Sequence, residues 1–226
     1  MTAGAADGGA ARNPMAGWRD AEAEPPTTLV LLRHGVTENT LAKRFCGSGG
    51  SDPGLSEEGR AQAARAAALI SARGGADAVV ASPLRRTRET AATVAEVVGR
   101  TVVTEELVAE TAFGAWDGLT FAQVQERDPD GLDAWLGSTA IAPPGGESYD
   151  AVDARVREAF DRLVAAYAGR TVVVVSHVTP IKLFVRLALG APMSAIHRLE
   201  LQPASISTVR VWPDGIATVR ELDLVP

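Results

Sequence analysis

Two short apolar runs that each end in histidine constrain this chain more than any other feature. Thr28 to Leu32 leads into Arg33-His34-Gly35, and Thr171 to Val175 leads into Ser176-His177. The second run is β-branched throughout, the composition of a central strand buried on both faces. The first has the length of a buried strand rather than of a core helix. Strands of this kind belong to an open α/β sheet, whose ligands bind at the carboxyl ends of the strands. An arginine there grips phosphate oxygens, a glycine lets the backbone come close, and amides opening the next helix favour negative charge. An imidazole beside a bound phosphate has the chemistry of a nucleophile. A lone Arg-His-Gly more often marks only a strand end with a hydrogen-bonded histidine, so other stretches must supply the rest of a site.

Strand and helix signals alternate along the remaining chain. Residues 1 to 27 are Ala, Gly, Pro and acids without periodicity, with one tryptophan, Trp18; they read as a disordered tail or linker ahead of a single domain, 28 to 226. The Gly-rich stretch 36 to 54 either connects elements or wraps a ligand. Ser56 caps a helix that runs to about Arg73 and stops at Gly74-Gly75. A strand, Asp77 to Ala81, ends in Ser82-Pro83, and a helix to about Val98 opens with Arg85, Arg86 and Arg88. Arginines at a helix start oppose its dipole, a local cost unless an anion sits among them. For Arg85 and Arg88, solvation or pairing with an acid such as Glu89 is an equally good account.

Thr101 to Thr104 reads as a strand, followed by a loop, Glu110 to Gly118, that carries a carboxylate, Phe113 and Trp116. Short helices are expected over 120–126 and 132–136, a turn at Pro143 to Ser148, and long helices over 149–167 and from about Pro180 to Leu189. His197 to Leu201, Ser205 to Val211 and Ile216 to Leu222 read as strands, the last two joined by a Pro213-Asp214-Gly215 turn. No repeat is present, so the order describes one α/β domain.

Composition excludes some roles. The chain of 226 residues has a net charge of −6, which argues against a nucleic-acid coat or a membrane-surface protein. Cys46 is the single cysteine, leaving no internal disulfide and no multi-cysteine metal site. No apolar run approaches the ~18 residues of a membrane span. The start lacks a basic segment followed by an apolar core, so no secretory signal is read and a cytoplasmic location is expected.

Two strand-end histidines, arginines at a strand end and a helix start, and a carboxylate in a glycine loop occur in one order. In that order the chain resembles the histidine phosphatase superfamily, also called phosphoglycerate-mutase-like, from about Thr28 to its end. The motifs are Leu-Leu-Arg33-His34-Gly35-x-Thr37, Arg44-Phe45-Cys46-Gly47, Leu55-Ser56-x-x-Gly59, and Ser82-Pro83-Leu84-x-Arg86-x-x-x-Thr90-Ala91. Glu110 before Phe113-Gly-x-Trp116-x-Gly118, Pro-Pro-Gly-Gly-Glu147-Ser148 and Val-Ser-His177 complete the set. Three positions depart from the family pattern: Thr40 stands where asparagine is usual, with Asn39 one place early; Val178 replaces a glycine; and Cys46 occupies a place often held by Gln or Ser.

The resemblance implies a three-layer α/β/α sandwich with a mostly parallel central sheet. It implies His34 as the phosphorylated nucleophile, with Glu110 and His177 as the other catalytic groups. Phosphate binding falls to Arg33, Arg86, His177, Gly35, Thr37, Cys46, Gly47 and Val178, with His177 protonated. No metal or other cofactor is implied. The expected partner is a small-molecule phosphomonoester, with no nucleic acid and no membrane; a homodimer is left open. The Phe-Gly-x-Trp-x-Gly pattern and compact length are similar to the phosphatase branch rather than the mutases. Within it, the chain is similar to α-ribazole-phosphate phosphatases of cobalamin synthesis, and more so to the acid phosphatase domain that follows ribonuclease H in some fusion proteins. A phosphomutase and a non-catalytic phospho-ligand module are the rival readings.

Overall fold

A computed structural model describes residues 24–226. The tail assignment over residues 1–23, with Trp18, lies outside the described residues; the first strand opens at Thr27, one residue earlier than expected. Six strands form one sheet in the order β3-β2-β4-β1-β5-β6. They are β1 (Thr27–Arg33), β2 (Ala78–Ala81), β3 (Val102–Thr104), β4 (Thr171–Ser176), β5 (Ile206–Val211) and β6 (Ala217–Leu224). Strands β3, β2, β4 and β1 run parallel, and β5 is antiparallel to both of its neighbours, β1 and β6.

The helices are α1 (Glu38–Leu41), α2 (Glu57–Ala72), α3 (Arg85–Val98), α4 (Phe121–Arg127), α5 (Pro129–Gly137), α6 (Tyr149–Ala166) and α7 (Val178–Leu189). They cover the sheet because the strands alternate apolar residues between two faces. On β4, Val173 and Val175 join Ala66, Ile70 and Val94 of α2 and α3 in one core. Val172 and Val174 join Val152, Val156, Leu183 and Phe184 of α6 and α7 in the other. The result is the three-layer α/β/α sandwich. A third, smaller cluster of Phe113, Trp116, Val124, Leu132 and Trp135 forms a lobe beside the carboxyl ends of the strands, with Phe45 and Tyr149 packed on it. Among the described residues no helix is long and apolar enough to cross a membrane.

Several boundaries differ from the sequence reading for identifiable reasons. His197 to Leu201 is not a strand: Met193–Arg198 is a 3-10 helix. Its apolar residues still reach the core, where Ile196 and Leu201 are buried, while β5 takes the place beside β1 in the sheet. Helix α5 starts at Pro129 behind the Asp128 cap, and α7 starts at Val178 with Pro180 in its first turn. Proline is tolerated there because the first turn's amides have no intrahelical partner to lose. Helix α1 is a single turn inside the Gly-rich stretch, closed by a Thr37–Thr40 capping box.

Candidate active site

Strand register assembles the site. Arg33 of β1 lies opposite Ser176 of β4, and Ala81 of β2 lies opposite Val175. The next residue on each strand is therefore His34, His177 and Ser82, three side chains brought to one edge of the sheet. The His34 amide donates to Ser176 O at 3.1 Å, and the two imidazoles meet edge-on with centroids 5.2 Å apart.

His34 Nδ1 lies 2.7 Å from the Gly35 carbonyl, which can only accept, so Nδ1 carries the proton and Nε2 keeps its lone pair. Burial, then Arg86 and Arg33, holds the His34 imidazole well below its ordinary value. The ring is therefore neutral, as a nucleophile must be. His177 Nε2 lies 2.7 Å from Ser82 Oγ. The protonation expected of His177 concerns the phosphate-bound site; without a bound anion, burial, followed by Arg86, His34, Arg33 and Arg155, holds the ring well below its ordinary value. It is neutral until an anion offsets those cations.

A cavity of about 380 Å³ opens above the histidines. Its wall includes Arg33, His34, Thr37, Cys46, Arg86, Glu110 and Val178 among the expected site residues. His177 stands behind that wall, fully buried against His34. Arg33 Nε, Arg86 Nη1 and His177 Nδ1 are buried without a hydrogen-bond partner, and the nearest carboxylate to Arg86 Nη1 in an ion pair is Asp52 Oδ1, 3.8 Å away. Unmet buried polar atoms are costly, and two guanidinium donors with an imidazole nitrogen behind them mark a place suited to an anion. The rest of each guanidinium is anchored: Arg33 Nη1 donates to Leu201 O at 2.5 Å and Arg86 Nη2 to Cys46 O at 2.9 Å. Burial lowers Arg33 from its usual value, against the pull of Glu110 and Asp223. Of the other arginines opening α3, Arg85 pairs with Glu89 at 2.7 Å and Arg88 is exposed.

Glu110 is 6 % exposed, and its Oε1 accepts the Thr111 amide at 2.9 Å, leaving Oε2 for the cavity. Beyond it the wall is aromatic, with Phe45, Phe113, Phe121 and Tyr149, and its rim carries exposed Lys43 and Arg44. Burial, then the Glu110 carboxylate, raises the Tyr149 phenol far above its ordinary range. Lys43 holds its place with φ of 51°, an uncommon conformation for a residue with a side chain. The mouth and floor thus combine four cations with one carboxylate.

The glycines and Cys46 have other work in this structure. A Cβ on Gly35 would meet Gly59 O at 2.3 Å, and its amide donates to Thr90 Oγ1 at 3.2 Å. The close approach it permits is to the start of α2. Gly47 donates its amide to Asp117 at 2.7 Å and packs against Thr111 O. Thr37 Oγ1 accepts from the Thr40 amide, capping α1. Cys46 Sγ accepts from Asn39 Nδ2 at 3.2 Å, so Asn39 steadies the wall while Thr40 lines it. Val178 opens α7, whose first amides have no intrahelical acceptor. Among the described residues no group of three or more His, Cys, Asp or Glu side chains is placed to hold a metal ion. Ser82, Tyr149, Lys43 and Arg44 were not singled out as site residues by sequence. Ser82 and Arg44 carried a signal, Ser82 as the end of the strand before the Arg86 helix and Arg44 as the first residue of the Arg44-Phe45-Cys46-Gly47 motif.

Fold and site together define a class of α/β protein in which paired histidines and arginines meet at the carboxyl ends of parallel strands. The chain belongs to the histidine phosphatase superfamily (branch 1), whose family model matches residues 29–223. It is 49 % identical over 204 residues to the Bifunctional protein Rv2228c of Mycobacterium tuberculosis, covering 90 % of this chain and 55 % of that one. The chain thus spans about half the length of that relative. Phosphoserine phosphatase 1 of Hydrogenobacter thermophilus is 32 % identical over 184 residues, 81 % of this chain and 86 % of its own. The solved mycobacterial glucosyl-3-phosphoglycerate phosphatase Rv2419c, in complex with VO3, superposes with a TM-score of 0.79 at 33 % identity, over 87 % of this chain and 98 % of its own.

Proposed function

We propose that this protein hydrolyses a small phosphomonoester through a phosphohistidine on His34. The observation that carries the reading is that Arg33, Arg86 and a neutral His34 line one cavity with His177 packed behind His34, and that Arg33 Nε, Arg86 Nη1 and His177 Nδ1 are buried without a hydrogen-bond partner. Phosphoryl transfer asks the protein chiefly for positioning and charge stabilisation. Arg33 and Arg86 take the phosphoryl oxygens, and the arriving dianion supplies the charge that lets His177 become a cationic donor. His34 Nε2 attacks phosphorus in line; the P–N bond forms as the bond to the leaving oxygen breaks. Glu110 gives that oxygen its proton, then as carboxylate takes one from the water that attacks the phosphohistidine, releasing phosphate and restoring His34. The cations that meet the phosphoryl oxygens in this scheme are side chains of the protein.

Substrate choice is the finer question. Sequence resemblance points to α-ribazole 5′-phosphate, whereas the names of two relatives, a phosphoserine phosphatase and a glucosyl-3-phosphoglycerate phosphatase, point to phosphorylated acids. The test is a panel of phosphomonoesters, with p-nitrophenyl phosphate, α-ribazole 5′-phosphate, phosphoserine and a phosphoglycerate. Phosphate release from at least one, abolished in His34→Ala without loss of fold, is expected. Transfer to a second sugar acid in place of water would make the protein a mutase, and binding without turnover would make it a phospho-ligand module.

A further inference from the structure

Glu110 sits in a segment with little regular structure, yet its carboxyl must hold one position for proton transfer. The segment Glu106–Val108 is a single 3-10 turn, and no strand pairing follows it until the aromatic loop. What fixes it comes from α6. Arg155 donates Nη1 to Leu107 O at 2.8 Å and to Ala109 O at 2.7 Å, and Nη2 to the carbonyl of Glu110 itself at 3.2 Å. Its other two donors, Nε and Nη2, reach the two carboxylate oxygens of Glu147, each at 3.1 Å. All five N–H groups of the guanidinium are used. Glu147 continues the clamp: Oε2 accepts the Ala112 amide at 2.9 Å, and its own amide donates to Ala112 O at 2.8 Å. Ser176 Oγ donates to Val108 O at 2.7 Å, and Ser48 Oγ donates to Glu110 O at 3.0 Å. The backbone on both sides of Glu110 is therefore held by side chains from distant parts of the chain, with Arg155 at the centre.

We infer that Arg155 and Glu147 are positioning residues for Glu110, fixing the loop so that its free oxygen faces the leaving group. Neither touches the cavity wall. The inference rests on the proton-donor reading of Glu110. The alternative account is that a half-buried ion pair only stabilises the fold, and leaving groups separate the two. An alkoxide needs a proton as it departs; a p-nitrophenolate leaves without one. A misplaced Glu110 therefore slows alkyl phosphates selectively, whereas a loosened fold slows both.

The experiment compares kcat/KM for an alkyl phosphate and for p-nitrophenyl phosphate in Glu110→Gln, Arg155→Met, Arg155→Lys and Glu147→Gln. Glu110→Gln sets the benchmark, a selective loss within the about 10²–10⁴-fold of general-acid catalysis. Arg155→Met is expected to lose at least about tenfold with the alkyl ester and little with the aryl ester. Arg155→Lys keeps the charge but not the fork of five donors, so it should show the same selective loss if Arg155→Met does not fold. Glu147→Gln still has an acceptor for the Ala112 amide and should lose less. Equal losses for both esters in the Arg155 variants, or none, would overturn the inference while leaving a split in Glu110→Gln intact. A Glu110→Gln enzyme without the split would remove the proton-donor reading, and the inference with it.

Discussion

The two buried histidines make stability depend on pH in a window where few other groups titrate. Both rings are held well below the ordinary histidine value, burial first, and then by the arginines, with the neighbouring imidazole also acting on His177. The folded state therefore refuses protons that the unfolded chain accepts, and stability rises with pH where the unfolded state binds more protons. The sign follows: the contribution is complete above the unfolded value of about 6.5 and is lost as pH falls below it towards the folded values. Between about pH 7.5 and about pH 5.5, one such histidine costs on the order of 1 kcal/mol and the pair on the order of 2–3 kcal/mol. Glu89, the carboxylate held below its usual value by the Leu55 amide and Arg85 against the opposing effect of burial, contributes only at lower pH. The assay is urea unfolding at both pH values for the native protein and for His34→Asn/His177→Asn. The native protein should lose on the order of 2–3 kcal/mol more than the double variant over this interval. Equal losses in the two proteins would refute the claim that both rings are buried neutral.

Two further results are expected. Gly59→Ala places a Cβ 2.1 Å from Val36 O, so the start of α2 must move off the loop that follows His34; overpacking of this kind costs about 1–3 kcal/mol, and kcat should fall with the denaturation midpoint. A stable, fully active Gly59→Ala protein would show that this contact does not set the nucleophile's position. Replacing Lys43 and Arg44 together by alanine removes the exposed cations of the rim; kcat/KM should fall by up to about tenfold at low salt and by less as salt is raised, with kcat unchanged. A salt response identical to that of the native enzyme would exclude steering by this rim.

The catalytic end of the sheet was legible because its signals are local. An apolar run stops, and the next residue is His34 or His177; parallel register then does the rest, setting Arg33 beside Ser176. Arg86 was legible for a related reason, as a cation where a helix dipole disfavours one. Arg155 and Glu147 were not singled out for this role, because on α6 Arg155 is one arginine among Arg157 and Arg162, and only the tertiary path of residues 107–112 shows what it holds. Gly35 was read as room for a ligand, whereas the partner that needs the room, Gly59, is remote in sequence. The His197 to Leu201 stretch has a strand's composition, but the position beside β1 belongs to β5. Proline at the starts of α5 and α7 hid the first turns of both helices.

The central claim is that phosphorus passes through His34. A rapid alkaline denaturing quench with a ³²P-labelled substrate, followed by peptide mapping, tests it directly. The account predicts label on the peptide holding His34, formed before steady state, decaying as free phosphate appears, and absent from His34→Ala. Label on His177 instead, or a burst of leaving group with no labelled protein at any time, would contradict it.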